Sequence, residues 1–99
     1  MQPVVLNGTA IDSAQALHRA LAAALDLPAW YGGNLDALYD CLTDLPALPE
    51  FQIIDPPALQ TALGEKTYRG LLRVLGDAHA KVVFFWREES LRQGVVEPT

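Results

Sequence analysis

The chain has 99 residues, of which 51% are hydrophobic and 19% are charged, a balance that predicts one globular domain and leaves no room for a second. Its net charge of −5 disfavours direct binding to nucleic acid, because phosphates are bound by cationic surfaces. The single cysteine, Cys41, excludes an internal disulfide and favours a reducing compartment.

The first part of the chain predicts a strand followed by a helix. Residues 4–6 form a short apolar run that is typical of a buried strand. Asp12 is the expected N-cap of the first helix, and Gln15, three residues later, completes a capping box. Apolar residues then recur at helical spacing between positions 17 and 25, and Pro28 marks the end of the helix.

A loop at residues 30–33 precedes a second predicted helix. Its two consecutive glycines, Gly32 and Gly33, favour neither helix nor strand. Asn34 is the expected N-cap of a helix that runs from residue 35 to about residue 43. The apolar face of this helix is expected to carry Leu35, Leu38, Cys41 and Leu42. The opposite face is expected to carry Asp36, Tyr39, Asp40 and Thr43.

The remainder of the chain predicts two more strands and two more helices. Residues 51–54 form an apolar strand, and Asp55 is the expected N-cap of a third helix because prolines follow it. Gly64 is the stop signal of that helix. A fourth helix follows, with its apolar residues at positions 68, 71, 72 and 75. Residues 82–86 are apolar throughout and predict the third strand.

The order β-α-α-β-α-α-β predicts an α/β fold in which a three-stranded parallel sheet is packed by about four helices. Strands that are separated by helices pair through crossover connections, which make them parallel. Apolar strands of this kind suggest that helices cover at least one face of the sheet. We expect a single domain over residues 1–99, with residues 87–99 forming a polar C-terminal extension.

The charges are divided unevenly along the chain. The window 20–65 contains seven of the twelve acidic residues and none of the seven lysines and arginines. A stretch of one sign would project a negative field from part of the surface and speed the encounter with a basic partner. Acidity also keeps a small protein soluble, so the charge distribution alone leaves both interpretations open.

The second helix carries the residues that suggest a function. Asp36 and Asp40 lie one turn apart, a spacing that costs about 0.2–0.5 kcal/mol in an isolated helix. The macrodipole favours Asp36 in the first turn, whereas Asp40 has no cation within one turn on either side. Aromatic residues beside unpaired acids suit an interface with a basic partner, and Trp30, Tyr31 and Tyr39 supply them. A solvated helix face with packed aromatics is the alternative.

The segment 31–43, YGGNLDALYDCLT, resembles the signature segment of the barstar family of ribonuclease inhibitors. The glycines, the N-cap, the acids and the apolar positions all agree in register. The resemblance extends upstream to about residue 4, through Leu17-His18 and the segment 25–28, and is weaker after residue 43.

The resemblance implies a protein that blocks the active site of a basic ribonuclease with its second helix and the preceding loop. Asp40 would occupy the site of the RNA phosphate and meet the catalytic Arg and His residues of the enzyme. Asp36 would pair with a neighbouring basic residue, and Trp30 would pack on the catalytic His. The other partner contacts implied by the family are Tyr31, Gly32, Asn34, Tyr39, Thr43, Asp44 and, in the fourth helix, Asp77.

The sequence departs from the family pattern at several of these positions. Trp30 and Tyr39 are exchanged relative to the pattern, which has Tyr at the first position and Trp at the second. Asp77 replaces a glutamate, and Asp44-Leu45 replaces a Gly-Trp pair. The target is therefore either a basic ribonuclease or a different nuclease toxin, for which this chain would be the immunity protein.

Two further classes of function stay open on the residues alone. One is an acidic protein-interaction module without a nuclease target. The other is a small hydrolase that uses Asp36 and Asp40 as acid and base. Two carboxylates on one helical turn lie on a convex face, which offers a substrate no cleft and disfavours the hydrolase. We expect no catalytic residues, and either a monomer or a one-to-one complex with a protein partner.

No cofactor, metal or membrane is expected. His18 and His79 lie in no cluster of histidines and cysteines, so a zinc site is not predicted. The N-terminal sequence lacks the basic and apolar segments of a signal peptide, and the apolar runs are far shorter than a membrane span of about 20 residues. We therefore expect a cytoplasmic protein.

Overall fold

The computed structural model of the chain describes residues 2–86. Their elements follow the predicted order, and the predicted C-terminal extension at residues 87–99 lies outside the described residues. The elements are β1 (Val4–Asn7), α1 (Ala14–Leu25), α2 (Leu35–Asp44), β2 (Phe51–Ile54), α3 (Pro56–Leu63), α4 (Glu65–Asp77) and β3 (Val82–Phe85).

The three strands form one parallel sheet in the order β1-β2-β3, with β2 in the centre. The register places Val4 beside Phe51 and Phe51 beside Val82. Residues that are paired in this way direct their side chains to the same face of the sheet, and successive residues along a strand alternate between the two faces. This arrangement confirms the predicted α/β fold with its three-stranded parallel sheet and four helices.

The helices cover one face of the sheet and form the core with it. Every strand side chain is directed to one face or the other, and the covered face carries Leu6 and Ile53, which are fully buried. The opposite face is more open, since 49% of Val5 and 46% of Phe85 is exposed. The fully buried helix residues that complete the core are Leu17, Leu21, Leu38, Leu42, Leu59, Leu71 and Leu75.

The helix ends agree with the sequence prediction except at the start of α1. Asp12 was expected to cap this helix, but the N-cap is Ser13, whose Oγ accepts a hydrogen bond of 3.1 Å from the Ala16 N–H. The predicted N-cap is therefore wrong by one residue, and the predicted capping box is wrong, because the residue three positions after Ser13 is Ala16, which cannot complete one. Both Ser and Asp are favoured at the N-cap, and residue preference alone does not choose between neighbours.

Helices α2 and α4 lie side by side and run in the same direction. Leu35 at the start of α2 approaches Gly70 so closely that an added Cβ at Gly70 would lie 2.6 Å from the Leu35 Cδ1 atom. Towards the other end, Thr43 of α2 and Asp77 of α4 line the same groove. The close contact at Gly70 thus sets the outer faces of the two helices next to each other.

Candidate functional site

The start of α2 is built by the loop residues that precede it. Gly33 has a φ of 70°, in the left-handed region that glycine adopts without strain. Asn34 is extended, and its side-chain oxygen accepts a hydrogen bond of 2.8 Å from the Ala37 N–H, which confirms the predicted N-cap. Gly32 lies against this cap, because a Cβ there would be 3.3 Å from the Asn34 Nδ2. The loop therefore delivers α2 in one defined orientation.

The two faces of α2 are divided as the sequence predicts. Leu38, Cys41 and Leu42 are buried in the protein interior. The opposite face is exposed and carries Asp36, Tyr39, Asp40, Thr43 and, at the end of the helix, Asp44. The helix therefore presents a row of carboxylates and one aromatic ring to solvent.

The carboxylates of α2 form no ion pair within the described part of the chain. The ion pairs found among residues 2–86 join Glu65 to Arg69, at 2.5 Å, and Glu50 to Lys81, at 3.5 Å. No basic residue stands in the last turn of α2, where a cation would complement the helix dipole, and Asp44 stands there instead. The outer face of α2 thus holds negative charges that no ion pair among residues 2–86 neutralises.

The two aromatic residues of the preceding loop differ in burial and in their contacts. Trp30 is 61% exposed and lies free of the core. Tyr31 is half-buried, and its hydroxyl group is hydrogen-bonded to Nδ1 of the buried His18 on α1. Burial is the main cause that raises the pKa of Tyr31 to about 12, and burial also lowers the pKa of His18. Tyr31 therefore fastens the loop to α1 as a neutral phenol.

Thr43 is held by its own helix. Its hydroxyl group donates a hydrogen bond of 3.1 Å to the main-chain carbonyl of Asp40. The side chain stays exposed, so its methyl group and its oxygen remain on the surface next to the carboxylates. The bond orients the Thr43 hydroxyl group on its own helix through the main chain of Asp40.

The structure brings Asp77 from the far end of α4 to the acidic face of α2. A shallow groove of about 380 Å³ is lined by Asp36, Tyr39 and Asp40 from α2 and by Arg73, Val74 and Asp77 from α4. Asp77, which the family resemblance placed in the interface, is therefore a neighbour of the α2 residues. Sequence analysis missed Arg73, although its helical spacing from Asp77 could have placed both on one face of α4.

Cys41 is unsuited to nucleophilic chemistry. It is buried on the apolar face of α2, and burial raises the pKa of its thiol, with the carboxylates of Asp44 and Asp40 adding to the effect. A thiol with a raised pKa carries little of the reactive thiolate at neutral pH. The expectation that Cys41 fills space in the core is in agreement with this placement.

No group of three His, Cys, Asp or Glu side chains among residues 2–86 is placed so that it could hold a metal ion. None of the helices between residues 2 and 86 has the length and apolar character that crossing a membrane requires.

These features define a class of protein: a small α/β domain in which one helix, packed on a parallel sheet, presents exposed carboxylates and an aromatic ring, and in which the carboxylates form no ion pair with the rest of residues 2–86. The family model described as Barstar (barnase inhibitor) matches residues 1–95. The chain belongs to the barstar family, as the resemblance of segment 31–43 indicated.

A curated relative is the Bacillus subtilis (strain 168) protein named "Putative ribonuclease inhibitor YrdF". The two chains are 43% identical over 49 residues, a match that covers 50% of this chain and 54% of the relative. The chain therefore spans about half the length of the curated relative that it matches.

Proposed function

We propose that this chain binds a basic ribonuclease and blocks its active site with α2 and the preceding loop. The observation that carries the proposal is the outer face of α2, where Asp36 and Asp40 are exposed, lie one turn apart and have no ion pair within the described residues. A ribonuclease active site is cationic because it binds the phosphates of RNA. A rigid helix with two bare carboxylates is complementary to such a pocket.

Two contributions to binding follow from this surface. The negative field of α2 would steer a basic partner towards the site and raise the rate of association. Once the partner is bound, hydrogen bonds between the carboxylates and arginine or histidine side chains are charge-assisted and slow the release. Asp40 would provide the central anion and Asp36 a second one closer to the start of the helix.

The aromatic residues suit the surroundings of these charges. Trp30 in the loop before α2 and Tyr39 on the outer face of α2 are both exposed, and they can stack on imidazole or guanidinium groups of the partner and exclude water. Tyr31, Gly32 and Asn34 would contribute by holding the loop in place and by allowing the partner to approach the backbone. Thr43, Asp44 and Asp77 would border the contact.

The family supports this proposal, since its description names an inhibitor of barnase. The name of the curated relative also describes a ribonuclease inhibitor, and the match covers 54% of that relative. The carboxylates therefore act by binding in our proposal, and we assign no catalytic residue to this chain.

A titration of ribonuclease activity tests the proposal. The purified chain is added to barnase and to a panel of small basic ribonucleases, and the cleavage of a fluorogenic RNA is followed. We expect stoichiometric loss of activity for at least one enzyme, with association that slows as rising salt screens the surface charges. Full activity of every enzyme at excess inhibitor would contradict the proposal, and turnover of the RNA by the chain alone would favour a hydrolase.

A further inference from the structure

The outer face of α4 carries a row of charges that changes sign along the helix. Lys66, Arg69, Arg73 and Asp77 follow one another at spacings of three, four and four residues, which places them on one side of the helix. All four side chains are exposed. The row is therefore cationic over its first part and anionic at its end.

This row continues the acidic face of α2 on the molecular surface. A groove of about 940 Å³ runs along the start of both helices and is lined by Leu35 of α2 and by Lys66, Arg69, Gly70 and Arg73 of α4. Arg73 also lines the adjoining groove that contains Asp36 and Asp40. Arg73 thus stands where the cationic groove and the acidic groove meet.

The relative position of the two grooves is set by tight packing. An added Cβ at Gly70 would lie 2.6 Å from Leu35 Cδ1, so the two helices touch at residues that line the larger groove, one turn of α4 before Arg73. A partner that covers the outer face of α2 must therefore also lie close to Arg73. We name the surface of Lys66, Arg69 and Arg73 the cationic row.

Arg73 is not engaged by the carboxylates beside it. The ion pairs of the described residues include neither Arg73 with Asp36 nor Arg73 with Asp40, whereas Arg69 is paired with Glu65. The guanidinium group of Arg73 keeps its donors for an outside acceptor, and five donors in a planar fork suit a carboxylate. A partner with only positive charge around its pocket would be repelled at this position.

We infer that Arg73 is a specificity-determining residue of the inhibitor surface, and that it binds a carboxylate on the partner at the border of the partner's cationic pocket. The inference rests on the proposed function and deepens it. The favoured ribonuclease presents an acidic side chain next to its phosphate-binding site, and the rest of the cationic row extends the contact. Ribonucleases that lack this acid are discriminated against by the unpaired charge of Arg73.

The inference is tested by the direction in which one charge reversal, Arg73→Glu, changes the association rate. The association rate of wild type and of Arg73→Glu is measured by stopped flow with the ribonuclease that the wild type inhibits most strongly, starting from barnase and the panel of basic ribonucleases. If negative charge alone drives binding, the variant should associate faster, because it replaces a positive charge beside Asp36 and Asp40 with a negative one and so lowers the net charge by two. Our inference predicts the opposite, a slowing of about fivefold together with faster release.

The matched control is Lys81→Glu, which changes the net charge by the same amount. Lys81 lies just before β3 and is paired with Glu50, outside both grooves. We expect the control to associate at the wild-type rate or faster. A second variant of the same residue, Arg73→Gln, removes the charge without reversing it, and its association rate should lie between those of wild type and Arg73→Glu. Thermal unfolding checks that all three variants are folded.

The outcomes separate the two proposals. Slower association and faster release by Arg73→Glu, with no such change in Lys81→Glu, support the inference. Inhibition that is unchanged or stronger in Arg73→Glu overturns the inference and leaves the inhibitor function in place. An absence of inhibition of any ribonuclease by the wild type overturns the proposed function, and the role of Arg73 with it.

Discussion

Helices α2 and α4 are built alike on the inside and differently on the outside. Each buries three residues against the same core, at Leu38, Cys41 and Leu42 in α2 and at Tyr68, Leu71 and Leu75 in α4. On the outside, α4 balances part of its charge, since Glu65 lies in the first turn and pairs with Arg69 four residues later. The exposed acids of α2 have no such partner within the described residues.

This difference in charge balance indicates that the outer face of α4 supports the stability of its helix, whereas the outer face of α2 serves binding. Like charges one turn apart and an acid in the last turn both act against the stability of an isolated helix, by a few tenths of a kcal/mol each. Helix α2 has both features, at Asp36 with Asp40 and at Asp44. Its packing and its N-cap compensate for them, so the outer face is free to serve binding. Neutralising single charges on the two helices should expose this contrast.

The largest effect is expected from Asp40→Asn, which keeps the size of the side chain and removes its charge. In the proposed complex this leaves basic groups of the ribonuclease buried and unpaired. Losses of that kind amount to about 2–5 kcal/mol of binding free energy. The barnase–barstar complex, whose inhibitor belongs to this same family, is one of the complexes on which this general range is based. Inhibition constants against a sensitive ribonuclease measure the loss. The free energy of unfolding should change by less than about 0.5 kcal/mol, and should rise if anything, because repulsion by Asp36 is relieved.

A loss of inhibition that is matched by an equal loss of folding stability would speak against this role. It would show that Asp40 supports the fold rather than the interface. Wild-type inhibition by Asp40→Asn would remove the residue from the proposed site altogether. Chemical denaturation of the free variant, followed by far-ultraviolet circular dichroism, distinguishes the two cases.

A smaller effect of about 1 kcal/mol is expected on folding stability from Asn34→Ala, because the side-chain acceptor for the Ala37 N–H is lost. Asn34 also orients the start of α2 next to Gly32, so inhibition should weaken with it. Ser13→Ala is the matched control, since Ser13 caps α1 through the Ala16 N–H. It should lower stability by a similar amount and leave inhibition unchanged. Equal weakening of inhibition by Asn34→Ala and Ser13→Ala would show that the N-cap of α2 matters no more for inhibition than the N-cap of α1.

The contrast between the two helices was only partly visible in the sequence. The strands, the four helices and the two faces of α2 follow from local patterns, because apolar spacing, N-caps, prolines and glycines act over a few residues. Asn34 and Gly64 stand at the helix ends where the sequence predicts them. The start of α1 was misplaced, since Asp12 and Ser13 are adjacent and equally suited to cap a helix.

What could not be predicted depends on contacts between distant parts of the chain. The sequence places Arg73 one turn from Asp77, but its position beside Asp36 and Asp40 results from the approach of Leu35 to Gly70. The bond between Tyr31 and His18 likewise joins the loop to α1 across thirteen positions. The family resemblance assigned Tyr31 to the partner, and the structure adds a role in holding the loop. Its contact with a partner stays a prediction.

A weaker, pH-dependent effect should come from the burial of His18. Burial lowers the pKa of His18 below its ordinary value, so the unfolded chain binds a proton more readily than the folded chain does. Stability is therefore fully present above the unfolded pKa of about 6.5 and is lost as the pH falls through the lower folded pKa. Denaturation between pH 8 and pH 4 measures the loss. It should shrink in His18→Gln, whereas His79→Gln, which alters an exposed histidine, should keep it.

The smallest effect is expected on the other side of the comparison, from Glu65→Gln on α4. This change has the same chemistry as Asp40→Asn, but it breaks an exposed ion pair with Arg69 at the i, i+4 spacing. Such pairs contribute about 0.3–0.5 kcal/mol, so the variant should be slightly less stable than wild type. Inhibition should stay within about twofold of wild type, because Arg69 keeps its charge in the cationic row. The two variants would then differ in opposite ways. Asp40→Asn would weaken inhibition and leave folding stability nearly unchanged, whereas Glu65→Gln would lower folding stability slightly and leave inhibition nearly unchanged. A loss of inhibition in Glu65→Gln as large as that in Asp40→Asn would mean that net negative charge, and not its place on α2, determines binding.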